Sequence, residues 1–413
     1  MPLPKVIPAL ADLTQDIAGP LPVRLLTDWA TGAQDLDAAS GLLSAFEIDG
    51  TVVSTDTSGL SRMTQAMDLL DVINVVSRPK EIVHALGRAI GGRGIGTWVA
   101  DNTEMIFPSG IEPETIVDTM GEVQTRIEER LPIRIGMCIH KGRFFEIGGG
   151  LYGRDADVVE YLAENCAGGG EILLTDSVLG DLSVVPADLE AKVFTEEALQ
   201  LQAWLLKSKR RMPHLEERET AYPHPFPAEF YALLPRLNNA AEATELKQMI
   251  YSRWLRERVV VFIALHRDQE DARSLSGLLD ALVENALMET VVRDTAPQDS
   301  IASSAGGIAI VTFAGASEAL DYARTAQARL AANGLPVRVA IDTGPVLLFQ
   351  NSHGPSGITG DPINIASKLS EDTGRTGRIS VSARAARQLG GRVSGENFEI
   401  RISGVVLAGM VLN

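Results

Sequence analysis

Residues 52–64 read Val52-Val53-Ser54-Thr55-Asp56-Thr57-Ser58-Gly59-Leu60-Ser61-Arg62-Met63-Thr64. A β-prone run, Thr51 to Thr55, ends on Asp56. A turn of small residues, Thr57-Ser58-Gly59, follows, and then a helical pattern begins. Free backbone N–H groups at a helix start favour phosphate. A carboxylate beside them can hold a hard cation such as Mg²⁺ against that phosphate. Read alone, Asp56 and Ser58 need do no more than cap a helix. The rest of the chain weighs against so plain a role.

The chain has 413 residues, of which 45% are hydrophobic, enough for a sizeable core in each of two domains. Its 54 acidic and 37 basic residues leave a net charge of −17, which argues against nucleic-acid binding and against docking on a membrane through a basic face. The first twenty residues hold no continuous apolar stretch, so none reads as a secretory signal. No apolar run reaches the length of a membrane-spanning helix. Cys138 and Cys166 form neither a disulfide framework nor a metal-ligand spacing, and a reducing cytoplasm is the simplest setting. Cys138, in an apolar strand pattern, is expected in the core.

Taken in order, the sequence predicts an irregular start with one helix near Leu21–Asp28, then a strand at Thr51–Thr55. Two helices are expected across Ser61–Ile90, broken near Pro79. A hairpin of Ile95–Val99 with Glu104–Phe107 should follow, then a helix near Pro113–Arg130 and a strand at Ile133–Ile139. A glycine cluster, Gly148-Gly149-Gly150, a helix near Asp155–Cys166 and a strand at Glu171–Thr175 complete the series. Residues 191–255 read as a linker with helical pieces, and its basic run, Lys207 to Arg211, as a solvated face. The same series then restarts. Asp56 falls on Ala264, Asp101 on Gly307 and Gly153 on Gly360, at offsets of 208, 206 and 207 residues. Three anchors in near-constant register indicate a duplicated domain. The expected organisation is an extension over residues 1–47, a first domain over 48–190, the linker, and a second domain over 256–413.

Both halves resemble the class III nucleotidyl (adenylate and guanylate) cyclase homology domain. The first half shows VVSTDTSGLSRMT, WVADNTEMIF, IHKGRFFEIGGGLYGRDAD and AGGGEILLTDSV. The second shows VVVFIAL, AGGIAIVTF, VRVAIDTGPV, GITGDPINIASKL and TGRISVS. The resemblance covers about residues 48–185 and 256–390. It implies an α+β fold of two tandem ferredoxin-like (βαββαβ-type) domains, paired within the chain as a pseudo-heterodimer.

The same resemblance implies a reaction. ATP or GTP is cyclised with two divalent cations, Mg²⁺ or Mn²⁺, and pyrophosphate is released. Metal would be held by Asp56, Thr57 and Asp101, and phosphate by Ser58, Gly59, Leu60 and Ser61. In the second half Asn364 falls on the ribose-positioning Asn, and Lys368 falls where the family has Arg. Ser303 and Gly357 fall on the purine-reading positions. The second half has Ala264 and Gly307 at the metal positions, and the first has Asp157 and Tyr161 at the other pair, so the halves are complementary. Lys368 is a point charge in place of a bidentate fork, and Gly357 brings no side chain to the base. A pseudo-cyclase acting as a nucleotide-binding regulatory or protein-interaction module is therefore the competing expectation, with a regulatory protein as a further partner. Glu104 and Asp155 add charge near these motifs without matching one, and His140 is expected to be structural.

Overall fold

The computed structural model describes residues 20–59, 67–99, 101–186, 188–196, 199–207, 209, 211–212, 214–217, 221–266, 274–297, 300–351, 354–372, 375–402 and 405–412. Two compact units divide within the connector, one containing Val72–His224 and the other Pro225–Asn413. Ahead of the first sheet lie two helices, α1 (Val23–Thr31) and α2 (Leu36–Leu43), where one was expected. Asp35 caps α2 by accepting from Ala38 N at 2.9 Å.

In the first domain the strands are β1 (Glu47–Thr57), β2 (Arg93–Gly94), β3 (Thr103–Pro108), β4 (Ile135–Ile147), β5 (Gly150–Tyr152), β6 (Ile172–Thr175), β7 (Leu189–Glu196) and β8 (Leu199–Leu206). They lie in the order β2-β3-β1-β4-β6-β8-β7, with β5 paired to β4. β1 is central because both its faces are apolar: Val52 and Val53, on opposite faces, are fully buried. Such burial is worth about 1.5–3 kcal/mol per side chain. The helices are α3 (Leu69–Ala89), α4 (Pro113–Arg130) and α5 (Arg154–Tyr161). Gly87 of α3 packs against Met105 and Phe107 on one sheet face. Val158 and Val159 of α5 join Val52, Ile106 and Cys138 on the other.

The second domain repeats this plan with β9 (Leu255–Leu265), β10 (Ile301–Ala305), β11 (Ile308–Phe313), β12 (Val337–Asn351), β13 (Gly354–Thr359), β14 (Ile379–Ser382), β15 (Gly395–Ile402) and β16 (Val405–Leu412). The order is β10-β11-β9-β12-β14-β16-β15, with β13 paired to β12. Its helices are α6 (Ala243–Trp254), which leads into β9, then α7 (Leu275–Thr295), α8 (Ala316–Ala332), α9 (Asp361–Asp372) and α10 (Ala383–Leu389). Val259, Val261 and Ile263 face α7 and α8, whereas Val260, Phe262 and Ala264 face α9. Both domains are therefore α+β, a mixed sheet with helices on its faces.

Register confirms the repeat residue by residue. Thr55 stands opposite Thr103 and Met137 in the first sheet, and Ile263 opposite Ala309 and Val339 in the second. That register sets Asp101 level with Gly307. Ile147 faces Gly150, as Phe349 faces Gly357.

Several expectations are corrected. Residues 69–89 form one helix with Pro79 inside it. The lost hydrogen bond and ring clash cost about 3 kcal/mol, which burial of Ile73, Val76, Ile82, Val83 and Leu86 offsets. Ile95–Val99 is not a strand, and β2 is only two residues long. Beyond it, Gly96 N donates to Gly149 O and Trp98 N to Pro223 O, at 2.9 and 2.7 Å. Residues 189–196 and 199–206, expected in part in the linker, pair as β7 and β8 at the edge of the first sheet.

In the basic run Lys207 and Arg211 are exposed, as expected, and Ser208 and Arg210 lie outside the described residues, but the described bases also pair with acids. Lys209 pairs with Glu128, and Arg211 with Glu122 and Glu129 of α4 at 3.1 and 2.9 Å. Glu122, 1% exposed, also accepts from Arg126 Nε and Met212 N, both at 2.8 Å. No described helix is long and apolar enough to cross a membrane.

Candidate functional site

β1 runs two residues further than its β-prone core, so Asp56 and Thr57 are still paired to β4, opposite Gly136 and Ile135. Thr55 and Thr103 share a buried hydroxyl–hydroxyl bond of 2.7 Å, and Thr57 Oγ1 donates to the Asp101 carbonyl at 3.2 Å. Thr55 and Thr57 thus fasten the end of β1 to Thr103 and to Asp101 ahead of it. Asp56 and Asp101 are thereby held close enough to repel. Burial, and then the charge of Asp101, push the Asp56 carboxyl up to about 7, against a backbone hydrogen bond from Thr57. Two crowded carboxylates are hard oxygen donors suited to Mg²⁺ or Mn²⁺. Among the described residues no group of three or more His, Cys, Asp or Glu is arranged to hold a metal ion. Any cation here would complete its shell with ligand or water oxygens.

The turn after Asp56 is less open than the sequence suggests. Ser58 N donates to Arg134 O at 3.0 Å, so that N–H already has a protein acceptor. Gly59 takes φ +88°, and Leu60 and Ser61 lie outside the described residues.

Glu104 is the acidic group that motif reasoning left unassigned. It stands opposite Ser54, two residues from the level of Asp56 on the same face of the β1–β3 pair. Burial pushes its carboxyl up to about 8. The matching residue of the second sheet is Ile310, opposite Phe262. A Glu inside an apolar strand was the available signal.

In the second domain the positions level with Asp56 and Asp101 are apolar or bare. Ala264 is buried, and Gly307, with Gly306, makes the two-residue turn between β10 and β11 at φ +82° and +62°. Paired positive φ angles favour glycine at such a turn.

Asn364 and Lys368 lie four residues apart on α9, hence on one side of it. Asn364 is exposed and Lys368 partly so. Ala366 and Leu369 turn inward to the core. The N-terminus of α9 is anchored by ions: Asp361 Oδ2 accepts from Arg384 Nη1 at 2.9 Å, and Arg384 Nε donates to the fully buried Asp342 at 2.7 Å. Ser382 also bonds Asp342. In the first domain the position equivalent to Asp342 is His140. His140 Nδ1 lies 2.9 Å from Thr175 Oγ1, and Nε2 lies 3.3 Å from Asp155 at the start of α5.

Ser303 is exposed on β10, and Gly357 faces Phe349 on β13. A Cβ placed on Gly357 would stand 3.0 Å from the Pro225 carbonyl oxygen.

No family model matches the sequence, and no curated protein matches it. Similar solved structures do exist. One is a class III adenylyl cyclase-like ATP-binding protein from Pseudomonas aeruginosa, 13% identical, with a TM-score of 0.46 over 84% of this chain and 87% of that one. Another is the adenylyl cyclase CyaB from P. aeruginosa, 13% identical, with a TM-score of 0.35 over 40% of this chain and 97% of that one. The guanylate cyclase domain of RhGC from Catenaria anguillulae, in complex with GTP, is 14% identical, with a TM-score of 0.30 over 38% and 97%. The chain is similar to class III cyclases. At these identities the likeness is one of fold.

Proposed function

We propose that this chain is a class III cyclase-type protein. It binds ATP with two divalent cations, Mg²⁺ or Mn²⁺, and converts it to cyclic AMP and pyrophosphate through one catalytic set drawn from both domains. The observation that carries this reading is the asymmetry of the repeat. Asp56 and Asp101 are held together on the first sheet, where the second has Ala264 and Gly307. Asn364 and Lys368 stand on α9, where the first domain has Asp157 and Tyr161.

Asp56 and Asp101, with Thr57, are the groups that would hold the cations. When bound, such ions offset triphosphate charge and stabilise the attacking and leaving oxygens. The chain's own groups orient the rest. The Asn364 amide can donate to and accept from ribose oxygens, and Lys368 places a positive charge toward the phosphates. In the reaction the ribose 3′-oxygen bonds to the α-phosphorus as the bond to pyrophosphate breaks, and the hydroxyl proton leaves to water.

A second reading, a pseudo-cyclase that binds nucleotide without turning it over, is favoured by Lys368 in place of a forked guanidinium and by the Ser58 N–H already bonded to Arg134. Calorimetric titration of ATP with Mn²⁺ into wild type, Asp56→Ala and Asp101→Ala separates binding from its absence. Metal-dependent binding lost in both variants is expected. Binding unchanged by either substitution would sink the metal assignment.

A further inference from the structure

We infer that the second domain carries a separate binding site for a small organic cation whose N–H groups donate hydrogen bonds, of the alkylguanidinium or alkylammonium class. A cavity of about 570 Å³ opens beside the end of β11, between the end of α7 and the first turns of α8. That volume suits a small molecule. The cavity lies on the sheet face that packs α7 and α8, opposite the face that carries α9 with Asn364 and Lys368. Its inner wall holds Ser300, Thr312, Phe313 and Tyr322, all buried. Its rim holds Glu318, Asp321 and Thr325, all exposed.

The hydroxyl protons of the lining are already committed. Thr295 Oγ1 donates to Val291 O at 2.7 Å, Ser300 Oγ to Pro297 O at 2.6 Å and Thr325 Oγ1 to Asp321 O at 2.9 Å. Each of these oxygens keeps a lone pair for a donor. The Glu318 and Asp321 carboxylates only accept, and among the described residues neither is in an ion pair. Tyr322 Oη is turned toward Thr295, whose proton is given to Val291, and no described residue completes a hydrogen bond with it. A buried hydroxyl in that state gains from any ligand group that pairs with it. The lining therefore offers acceptors in excess. An anion would set lone pairs against lone pairs, whereas a cation bearing N–H groups satisfies them. The rings of Phe313 and Tyr322, 5.1 Å apart and tilted by 40°, give such a cation an aromatic flank.

The first domain shows what this helix face takes. α4 and α8 correspond at an offset of 203 residues, which sets the buried Ile116, Met120, Val123 and Ile127 on the buried Ala319, Ala323, Ala326 and Leu330. Thr119 and Glu122 then fall on Tyr322 and Thr325. In the first domain a cationic stretch of the chain itself covers that position. Glu122 accepts from Arg211 Nε at 3.1 Å and from Met212 N at 2.8 Å, and Thr119 Oγ1 lies 3.8 Å from Met212 Sδ. In the second domain the same face borders the cavity. A threonine replaces the glutamate there, and the acids stand about one and two turns nearer the helix start, at Asp321 and Glu318.

The test titrates butylguanidinium and butylammonium into the full chain by calorimetry, with neither nucleotide nor Mn²⁺ present. Tetramethylammonium, a cation without N–H groups, and butylurea, a neutral analogue, are the controls. Each N–H cation should bind at least about 10-fold tighter than either control. Glu318→Gln combined with Asp321→Asn should weaken that binding about 10-fold or more, and Tyr322→Phe should weaken it several-fold. Both acids are exposed, so the double variant keeps the fold. A blocked Lys-Arg-Arg-Met-Pro peptide, the sequence of residues 209–213, separates the two sources of such a cation. Tighter binding of butylguanidinium assigns the site to a free cation and tighter binding of the peptide to an arginine side chain, and both sustain the inference. No binding of either N–H cation, equal binding of tetramethylammonium, or binding untouched by the double variant overturns it. None of these outcomes bears on the nucleotide reading.

Discussion

Glu104 gives the sharpest quantitative prediction. It lies opposite Ser54 on β3, where the second domain has Ile310. Burial raises its carboxyl from the usual 4.5 to about 8. Because the folded value lies above the unfolded one, the fold accommodates the neutral acid. Its contribution is fully present below about pH 4.5 and is lost as pH rises through about 8. A rise of this size corresponds to about 5 kcal/mol of lost stability once both states are ionised. Glu104→Gln keeps the shape and removes the ionisation. Urea unfolding in the presence of a chelator, followed by tryptophan emission and circular dichroism together because two domains need not unfold as one, reads the difference. At pH 5 the variant and wild type should agree within about 1 kcal/mol. At pH 9 the variant should be more stable by about 3–5 kcal/mol. An equal difference at the two pH values would show that Glu104 is not buried as an acid, and the reasoning would fail.

Other outcomes can be read more simply. Arg384→Met leaves the fully buried Asp342 without its cation and should cost about 3–5 kcal/mol in urea unfolding, with much of the loss recovered in the Asp342→Asn, Arg384→Met double variant; a cost below about 1 kcal/mol would contradict a buried pair. Lys368→Arg should raise cyclic nucleotide formation if the lysine stands in for a fork, and a fall in rate would assign it another role. Glu122→Gln weakens the hold of α4 on the connector and should speed proteolytic cleavage within residues 207–217 several-fold; unchanged cleavage would mean those ion pairs do not restrain it.

The parts of the fold that were legible share one property: they are dictated locally. β1 and β9 are continuous β-prone runs buried on both faces, and their distances to Asp101 and Gly153, and to Gly307 and Gly360, keep register, so the duplication could be read before any contact was known. The helix expected near Pro113–Arg130 is observed over those residues. What was not legible depends on distant partners. The β7–β8 pair hides behind a basic run most of whose acids sit on α4, about eighty residues earlier in the chain. β2 is cut short because Gly96 and Trp98 donate to Gly149 and Pro223 rather than to a strand. Pro79 reads as a break, yet a buried helix face holds it.

The candidate site divides in the same way. Asp56 and Asp101 stand out as carboxylates at strand ends, and β1–β3 register brings them together. The bond between Ser58 N and Arg134 O, and the carbonyl at Gly357, come from residues far along the chain. A bare glycine in the sequence gives no hint of what fills its space.

In the proposed function the acidic pair of the first domain and the α9 groups of the second act as one cyclase. The most direct test is to incubate purified full-length protein with ATP and Mn²⁺, with GTP in parallel, and to detect cyclic nucleotide by mass. Cyclic AMP formed by the wild type and absent from Asp56→Ala and Asp101→Ala is the predicted result. Product at the same level in the wild type and both variants, or none from any of them, would contradict it.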